Sequence, residues 1–324
     1  MKLLVLPFGD AACASTHYRV LQYLDMLRKD GIECDVLAPG KMPRPAEIAG
    51  YDAVLVQKKL FSCRQVRNLK SQSKRLLFDI DDATWHPHGR KHSWWTRWRT
   101  NRRLQSIVRA ADLSLVANQY IASHLNVLGG NTRVLPMALK AEDWPPSERA
   151  ESGRIRLGWS GAPVNLRYLE ALEPVLAQIM SEHPQVELAV FCGSQPAFKT
   201  TTPFIHLPWR QGGEPDAVKS FHIGLLPLPT DAFSQGKSPI KALQYMAAGI
   251  PTISTPQAGA LELPGNSGCL LFAKTPDEWH AQLTEIICHS DKRKELGLQA
   301  RSTFDRHYST THIFPLLRNH LLGA

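Results

Sequence analysis

The sequence predicts an α/β protein built from two Rossmann-like domains, each with a doubly wound parallel sheet. Three observations predict this fold class. The chain has 324 residues, about the length of two ordinary domains. Short apolar runs alternate from end to end with amphipathic segments of helical period, as in repeated βαβ units. The alternation stops at 140–153, which carries Pro145, Pro146 and several charges, and then restarts, as expected for a linker between domains.

The first half of the sequence is predicted as one domain over residues 1–150. Its opening apolar run, 3–6, predicts a buried strand, and apolar residues recur at a helical period over 18–29, which Gly31 ends. The same reasoning predicts further strands at 33–37, 53–57, 75–80, 113–117 and 133–136, and helices at 104–111 and 120–128. Strands and helices that alternate in this way form a parallel sheet.

The second half is predicted as another domain of this kind over 151–308. Its predicted strands are 156–159, 186–192, 204–207, 223–227, 251–254 and 268–272, and its helices are 166–182, 240–248, 276–289 and 291–308. Residues 309–324 are predicted to form a C-terminal helix that packs back on the first domain. Since open parallel sheets bind ligands beyond the carboxyl ends of their strands, we expect the two domains to face each other across a cleft.

Composition limits the partners and the compartment. The net charge of +9 and the pI of about 9.3 favour anionic partners, such as nucleic acid, a membrane surface or phosphorylated substrates, or serve only solubility. The six cysteines form no CxxC pair and have no metal-ligand spacing, which indicates reduced thiols without structural zinc. No apolar stretch reaches the ~18 residues of a membrane-spanning helix. We therefore expect a cytoplasmic protein, at most peripheral on the inner face of the cell membrane.

The segment 223–256 is the most informative part of the sequence. A predicted buried strand ends in a loop, and Gly236, Lys237 and Ser238 then open a helix whose predicted N-cap is Ser238. Unpaired amides at a helix start attract anions, and Lys237 and Lys241 add positive charge there. The segment indicates either a cradle for a diphosphate or an ordinary capped helix with solvated lysines.

The letters QYMAAGIPTISTP within this segment resemble the C-domain signature of GT-B glycosyltransferases, in particular the retaining family-4 (group 1) enzymes. The resemblance implies the GT-B fold, a nucleotide diphosphate sugar as donor substrate, and neither a cofactor nor a metal. Two glutamates of the family pattern fall here on Gly236 and Gln244, and Lys237 stands where the family often has glycine. The resemblance assigns Gln244 to the ribose hydroxyls, which its amide can bind without charge assistance.

Four further residues are expected to meet the donor. A predicted strand ends at Trp159, and the turn at Ser160 and Gly161 allows a ligand close to the backbone. Arg167 follows in the first turn of the next predicted helix. In similar enzymes this turn often has a basic side chain that meets the donor phosphates. Glu262 lies in a loop whose acidic residue reaches the sugar or the ribose in the resembled family. An ordinary βα turn with a surface arginine is the alternative.

The letters FDIDDATWHPH contain the aspartates that are the most informative residues of the first domain. The strand ends at Ile80, so Asp81 and Asp82 lie at its carboxyl end, where we expect acceptor hydroxyls or a base that withdraws the acceptor proton. The spacing of Asp79 and Asp81 also mimics the metal-binding DxD of GT-A transferases. The predicted pair of doubly wound domains argues against a metal-binding DxD motif. A loop capped by an aspartate is a further alternative. Arg19, after the first strand, is predicted to face the cleft and the acceptor.

The segment 85–109 concentrates tryptophan and positive charge. Its members are Trp85, Trp94, Trp95 and Trp98 with Arg90, Lys91, Arg97, Arg99, Arg102, Arg103 and Arg109. Tryptophan mixed with arginine suits the headgroup region of an anionic membrane, and we expect Trp85 to contact the acceptor. Single-stranded nucleic acid and a loop packed on its own domain are the alternatives. His86, His88 and His92 are expected to be solvated rather than metal ligands.

The sequence thus predicts transfer of a sugar from a nucleotide diphosphate sugar to a glycan or lipid-linked acceptor, in cell-surface polysaccharide or lipopolysaccharide biosynthesis. Lys237 and Arg167 are expected to stabilise the leaving diphosphate, and Asp82 to contact the acceptor. Nucleic acid is not an expected partner. The alternatives are a nucleotide-sugar 2-epimerase of the same fold and a noncatalytic nucleotide-sugar-binding protein.

Overall fold

The computed structural model describes residues 1–86, 93–146, 153–257 and 269–323. The chain divides into two compact units. The first consists of Met1–Ala138, Gln235–Ser238 and Thr310–Ala324, and the second of Leu139–Ser234 and Pro239–Ser309. The main division therefore falls before the predicted boundary at residue 150. It falls there because the Leu139 amide donates to the Tyr308 carbonyl at 3.0 Å, and Leu139 forms a parallel bridge with Ser309.

The first unit contains a six-stranded parallel sheet. Its strands are β1 (Lys2–Leu6), β2 (Glu33–Val36), β3 (Ala53–Gln57), β4 (Leu76–Ile80), β5 (Leu113–Val116) and β6 (Thr132–Val134). They lie in the order β2-β1-β3-β4-β5-β6, and every neighbouring pair is parallel. The strand order reverses at β1, so the switch point, where open sheets bind ligands, lies between β1 and β3.

The helices of this unit cover both faces of the sheet. They are α1 (Ala14–Arg19), α2 (Leu24–Lys29), α3 (Pro45–Ile48), α4 (Cys63–Gln72), α5 (Trp94–Ala110) and α6 (Gln119–Val127). Along β1, Leu4 and Leu6 enter one buried cluster, while Leu3 and Val5 enter another. A strand that is apolar on both faces belongs inside a covered parallel sheet, which explains its unbroken apolar run.

The predicted helix over 18–29 is interrupted in the structure. The backbone leaves the helical conformation at Val20, with φ −129° and ψ −65°, and a short 3₁₀ turn, Leu21–Tyr23, precedes α2. The Gln22 side-chain amide donates to the Tyr18 carbonyl at 2.6 Å, where a continuous helix would use the Gln22 backbone amide. The Gln22 side chain therefore replaces the backbone amide as the donor to the Tyr18 carbonyl, and the helix can end here.

The second unit also contains a six-stranded parallel sheet. Its strands are β7 (Ile155–Ser160), β8 (Val186–Cys192), β9 (Ile205–Pro208), β10 (Ile223–Leu226), β11 (Thr252–Ser254) and β12 (Leu270–Phe272). Their order is β12-β11-β10-β7-β8-β9, again with parallel neighbours. The switch point of this sheet lies between β7 and β10.

The helices of the second unit are α7 (Leu166–Ala171), α8 (Glu173–Glu182), α9 (Glu214–Lys219), α10 (Ala232–Gln235), α11 (Ile240–Ala247), α12 (Pro276–Cys288) and α13 (Ser290–His307). The predicted helix over 166–182 is divided at Leu172. The cause is Pro174, which has no amide hydrogen to donate to the Glu170 carbonyl.

The last helix, α14 (Thr310–Leu322), belongs to the first unit, although the chain reaches it from the second. Ile313, Phe314 and Leu317 lie in the same apolar cluster as Leu3. Arg75 donates to the His320 carbonyl at 2.8 Å. Within the described ranges, no helix has the length and apolar character needed to cross a bilayer.

Candidate active site

The carboxyl edge of the first sheet contains a buried ion pair between Arg19 and Asp79. The Arg19 Nε lies 3.0 and 3.1 Å from the two Asp79 oxygens, and its Nη2 binds the same carboxylate. The Arg19 Nη1 donates to the Leu135 carbonyl at 2.6 Å. Burial alone would lower the pKa of Arg19, but Asp79 outweighs burial and raises it. Arg19 is only 4 % exposed, so the prediction that it faces the cleft is wrong, because Asp79 and the carbonyl draw it inside the unit.

Lys58 neutralises the other two aspartates of this edge. Its Nζ lies 2.8 Å from Asp81 Oδ1 and 2.5 Å from Asp82 Oδ2. Burial raises the pKa of Asp81, but the ion pair with Lys58 outweighs burial and lowers it below the ordinary value. Lys58 itself is buried, and the two carboxylates raise its pKa despite the opposing effect of burial.

Two cations therefore hold the three aspartates, whose like charges would otherwise repel one another, and the sequence analysis did not identify Lys58. Lys58 could have been found from its position directly after β3, because the carboxyl end of β3 lies beside that of β4. Within the described ranges, no group of three His, Cys, Asp or Glu side chains has the geometry to hold a metal ion. Ion pairs between named side chains thus account for the aspartate-rich sequence that resembles a DxD motif.

A polar network supports this edge between β1 and β3. Gln57 is fully buried, and its Oε1 accepts from the Phe8 amide at 2.8 Å and from Thr16 Oγ1 at 3.1 Å. Its Nε2 donates to Ser15 Oγ at 2.9 Å. The Ser15 hydroxyl in turn helps to lower the pKa of Asp81. The loop after β1 is thereby connected to the aspartates after β4 through buried and half-buried hydrogen bonds, which fix positions more firmly than exposed ones.

The segment Gln235–Ser238 belongs to the first unit and lies against this edge. The Ser238 hydroxyl donates to the Asp81 carbonyl at 2.8 Å, and the Asn118 side-chain amide donates to the Gly236 carbonyl at 3.4 Å. A Cβ on Gly236 would lie 2.4 Å from the Ala83 Cβ, so only glycine fits here without a shift.

Two predictions for this segment are corrected. Ser238 does not cap α11, because its hydroxyl is used by Asp81 and Pro239 takes the N-cap position. Gly236 is buried against Ala83 and does not form an open cradle. Lys237, between them, is half-buried.

Trp85 is the other residue whose placement differs from expectation. It is 6 % exposed, belongs to an apolar cluster of the first unit, and stacks on the His124 ring with centroids 4.1 Å apart. Trp85 is therefore part of the core and is not on the surface with the other tryptophans of its segment. His86 contacts Tyr120 through ring Nε2 and the phenol oxygen at 3.3 Å, while His88 and His92 lie outside the described residues.

The carboxyl edge of the second sheet brings Ser160, Gly161 and Tyr245 together. The Ser160 amide, at the end of β7, donates to the Tyr245 hydroxyl on α11 at 3.0 Å. A Cβ on Gly161 would lie 2.5 Å from the Trp159 ring, which explains the glycine. The Ser160 Oγ is buried and has no hydrogen-bond partner among the described residues. A buried hydroxyl without a partner at a switch point makes Ser160 a candidate ligand-binding residue.

The remaining predicted donor residues lie on the helices next to this edge. Arg167, in α7, is exposed, and its guanidinium lies 4.7 Å from the Tyr168 ring centroid. Lys241 and Gln244 lie in α11, where Lys241 is half-buried and Gln244 is buried. Helix α11 is attached to the switch point through Tyr245, and the amides of its first turn are of a kind suited to an anion. The predicted donor residue Glu262 lies outside the described residues.

Two cavities open elsewhere on the second unit. The larger, of about 610 Å³, lies beside the start of β8 and is lined by Val186 and Glu187 among others. The smaller, of about 360 Å³, is lined by Arg293 and Arg301 among others. Neither includes a predicted site residue, and the larger lies at the amino end of β8, away from the edge where parallel sheets bind ligands.

Comparison with known proteins agrees with this architecture. Residues 174–317 match a family described as glycosyl transferase-like. A sucrose-phosphate synthase from Thermosynechococcus elongatus has a TM-score of 0.77 at 14 % identity, covering 100 % of this chain and 99 % of that one. HepE from Anabaena, solved with UDP-glucose, has a TM-score of 0.71 at 15 % identity, covering 100 % of both chains.

A third structure, the lipopolysaccharide outer core galactosyltransferase WaaB in its apo form, has a TM-score of 0.70 at 13 % identity, covering 100 % of this chain and 99 % of that one. None of the curated protein sequences is significantly similar to the chain. These structural likenesses show the fold, and the family match covers most of the second unit. The chain therefore has the fold of these structures, and its residues 174–317 match the glycosyl transferase-like family.

Proposed function

We propose that the protein transfers a sugar from a nucleotide diphosphate sugar to a hydroxyl of a glycan or lipid-linked acceptor. The observation that carries the proposal is the second sheet's switch point, where the buried Ser160 hydroxyl lacks a partner in the described chain. Helix α11, which comes after the adjacent strand β10 and the short helix α10, has first-turn amides that suit a phosphate. The UDP-glucose complex of HepE, a protein of the same fold, supports a uridine diphosphate sugar as the first donor to test.

The roles of the donor residues follow from charge and hydrogen bonding. Arg167 and Lys241 supply positive charge to the diphosphate that leaves, and Lys237 remains a predicted third cation for it. Gln244 holds the ribose hydroxyls through its amide. The transfer retains the anomeric configuration, as the family resemblance implies, and the product enters a cell-surface polysaccharide or lipopolysaccharide. No metal or cofactor takes part in this proposal.

The acceptor is delivered from a membrane surface through α5. Trp94, Trp95 and Trp98 are 68, 58 and 49 % exposed, and the Arg102 guanidinium lies 5.1 Å from the Trp98 ring centroid. Further arginines of the same helix, Arg97 and Arg99, are exposed as well. Each such cation contributes on the order of 1 kcal/mol near an anionic leaflet, and tryptophan prefers the headgroup layer. We infer a cytoplasmic protein that binds the inner face of the membrane.

Incubation of the full chain with radiolabelled UDP-sugars and a bacterial membrane extract tests the proposal. Label that enters glycolipid or glycan supports transfer, whereas interconversion of free nucleotide sugars would indicate an epimerase. Stabilisation by nucleoside diphosphates without any turnover would indicate a noncatalytic binder. Arg167→Ala combined with Lys237→Ala should lower turnover strongly, while Arg210→Ala, which removes an exposed cation paired with Asp216, should not.

Vesicle sedimentation tests the membrane surface separately. We expect binding to vesicles with 30 % phosphatidylserine and loss of binding in high salt, because screening weakens surface electrostatics. Replacing Trp94, Trp95 and Trp98 together by alanine should abolish the binding. Trp209→Ala, at a tryptophan 50 % exposed on the second unit, is the control and should leave it unchanged.

A further inference from the structure

Lys58 has an unusual backbone conformation at the end of β3. Its φ is +56°, and it is the one non-glycine residue with a positive φ in the described part of the chain. L-residues adopt this conformation only where the surroundings hold it, and such positions concentrate at functional sites. Here the Lys58 amide donates to the Asp79 carbonyl at 2.6 Å. The conformation brings the side chain to the carboxyl end of β4, where its ammonium lies between Asp81 and Asp82.

Exposure differs sharply among the three side chains of this cluster. The Lys58 and Asp81 side chains are 9 and 5 % exposed, whereas that of Asp82 is 24 % exposed. Asp82 Oδ2 is bound to Lys58, and Asp82 Oδ1 has no hydrogen-bond partner in the chain as described. A ligand at this edge therefore meets Asp82 first, and meets an oxygen with free lone pairs.

The charge of the edge restricts that ligand. Arg19 and Lys58 contribute two positive charges, and Asp79, Asp81 and Asp82 contribute three negative ones, so these five ion-paired side chains together carry one net negative charge. A phosphate would be repelled here, while a neutral hydroxyl that donates a hydrogen bond to a carboxylate is favoured.

We propose that Lys58 is the positioning residue that holds Asp82 for a neutral sugar hydroxyl of the acceptor. The inference rests on the proposed function and deepens it, because it specifies a sugar, rather than a phosphate, as the acceptor group bound at the first sheet. Lys58 binds Oδ2 of Asp82 and holds the carboxylate turned so that Oδ1 accepts from the acceptor hydroxyl. Asp81, buried behind it, completes the ion-pair cluster and does not touch the acceptor.

Binding of small probes to the full chain tests this inference without knowledge of the natural acceptor. Saturation-transfer NMR with methyl α-D-glucoside and methyl β-D-galactoside reports weak sugar binding, and inorganic phosphate serves as the anionic probe. We expect at least one glycoside to bind the wild type and to lose at least tenfold in affinity in Asp82→Asn and in Lys58→Met. Lys58→Arg, which keeps a cation between the carboxylates, should recover most of that loss. Lys74→Met, at an exposed lysine paired with Asp52, is the matched control and should bind like the wild type.

The pH dependence separates positioning from a merely structural role. Without the ammonium, burial raises the pKa of Asp81, and its protonated carboxyl can then donate to Asp82 in place of the acceptor. The pH at which glycoside binding is half lost should therefore rise in Lys58→Met and stay at the wild-type value in Lys58→Arg. If Lys58→Met does not fold, Asp82→Asn and Lys58→Arg still give the required comparison. Glycoside affinity unchanged in Asp82→Asn, or an unchanged pH midpoint in a folded Lys58→Met, would overturn the inference.

The same sample distinguishes failure of this inference from failure of the proposed function. Stabilisation by UDP depends on the second unit and should persist in both Lys58 variants. Loss of glycoside binding with UDP binding intact supports the assignment of Lys58. Phosphate that competes with the glycoside in the wild type would contradict the charge argument and with it the inference.

Discussion

The Tyr245 hydroxyl on α11 accepts a hydrogen bond from the Ser160 amide at the end of β7, at 3.0 Å. The tyrosine ring reaches this position because Gly224 in β10 has no side chain, and a Cβ there would lie 2.5 Å from the ring. One hydrogen bond thus attaches the helix that carries Lys241 and Gln244 to the switch point of the second sheet. Burial of Tyr245 raises its pKa, so the hydroxyl stays neutral at physiological pH.

Removal of this hydroxyl should destabilise the second unit. Tyr245→Phe leaves the buried Ser160 amide without its acceptor, and a buried unsatisfied group of this kind costs about 1–3 kcal/mol. Urea denaturation should show a lower midpoint with an unchanged slope. Tyr168→Phe removes a hydroxyl that binds the exposed Arg167, and we expect no comparable loss. Equal losses in the two variants would contradict the importance of the Tyr245 bond.

A methyl group at Gly161 should disturb both folding and donor binding. The added Cβ of Gly161→Ala meets the Trp159 ring at 2.5 Å, and Trp159 is buried in the core. Overpacking of this kind costs about 1–3 kcal/mol. UDP should then raise the melting temperature less than it does in the wild type. At Gly193 the corresponding Cβ meets only Pro163, at 3.7 Å, so Gly193→Ala is the control. A variant Gly161→Ala with wild-type UDP response would exclude a close approach of the donor at this turn.

Loss of Arg19 should be severe and should depend on pH. Arg19→Met leaves the Asp79 carboxylate buried without its partner, which costs about 3–5 kcal/mol. Burial without the arginine raises the Asp79 pKa above its unfolded value of about 3.9, so the loss is full at pH 7 and shrinks as the pH falls and the carboxyl protonates. Unfolding free energies of variant and wild type at pH 7 and pH 5 measure the difference. Arg28→Met breaks an exposed pair with Asp25 and should change stability by less than about 1 kcal/mol at either pH. A deficit that does not change with pH would contradict the mechanism.

Glu173 should stabilise the loop after β8 only while it is ionised. Its carboxylate accepts from the Lys199 amide at 2.8 Å and from the Thr200 amide and hydroxyl at 2.6 Å each. Burial raises its pKa, but these hydrogen bonds outweigh burial and lower it below the ordinary value. A depressed pKa means that the stabilisation is present above the unfolded pKa of about 4.3 and disappears as the pH falls through the folded value.

Glu173→Gln should therefore be less stable than the wild type at pH 7, and the two should converge near pH 3. Thermal unfolding across that range measures the effect. Glu295→Gln, at an exposed glutamate that accepts from the Gln299 side chain, should follow the wild type at every pH. A difference between Glu173→Gln and the wild type that persists at pH 3 would show that shape, and not charge, is responsible.

Short apolar runs alone predict most strands, because a strand buried on both faces of a parallel sheet is apolar along its whole length. The strands predicted at 53–57 and 186–192 match β3 and β8 in both bounds. Helices are predicted less well where their signal is polar. The missed helix α4 begins with a capping box, in which the Ser62 hydroxyl and the Gln65 side chain bind each other's backbone amides, and this pattern was legible in the sequence.

The sequence by itself determined the two α/β domains, the glycosyltransferase signature around α11 and the turn at Ser160 and Gly161. These features depend on local spacing and on which residue follows a strand, and both are visible along one chain. Only the tertiary structure decided the partners of charged and aromatic residues. Arg19 pairs with Asp79, sixty positions away, and Lys58 with Asp82, twenty-four positions away, because the sheet places the ends of distant strands side by side. Charge pairing is set by distance in space, and a pattern read along the chain does not contain that distance.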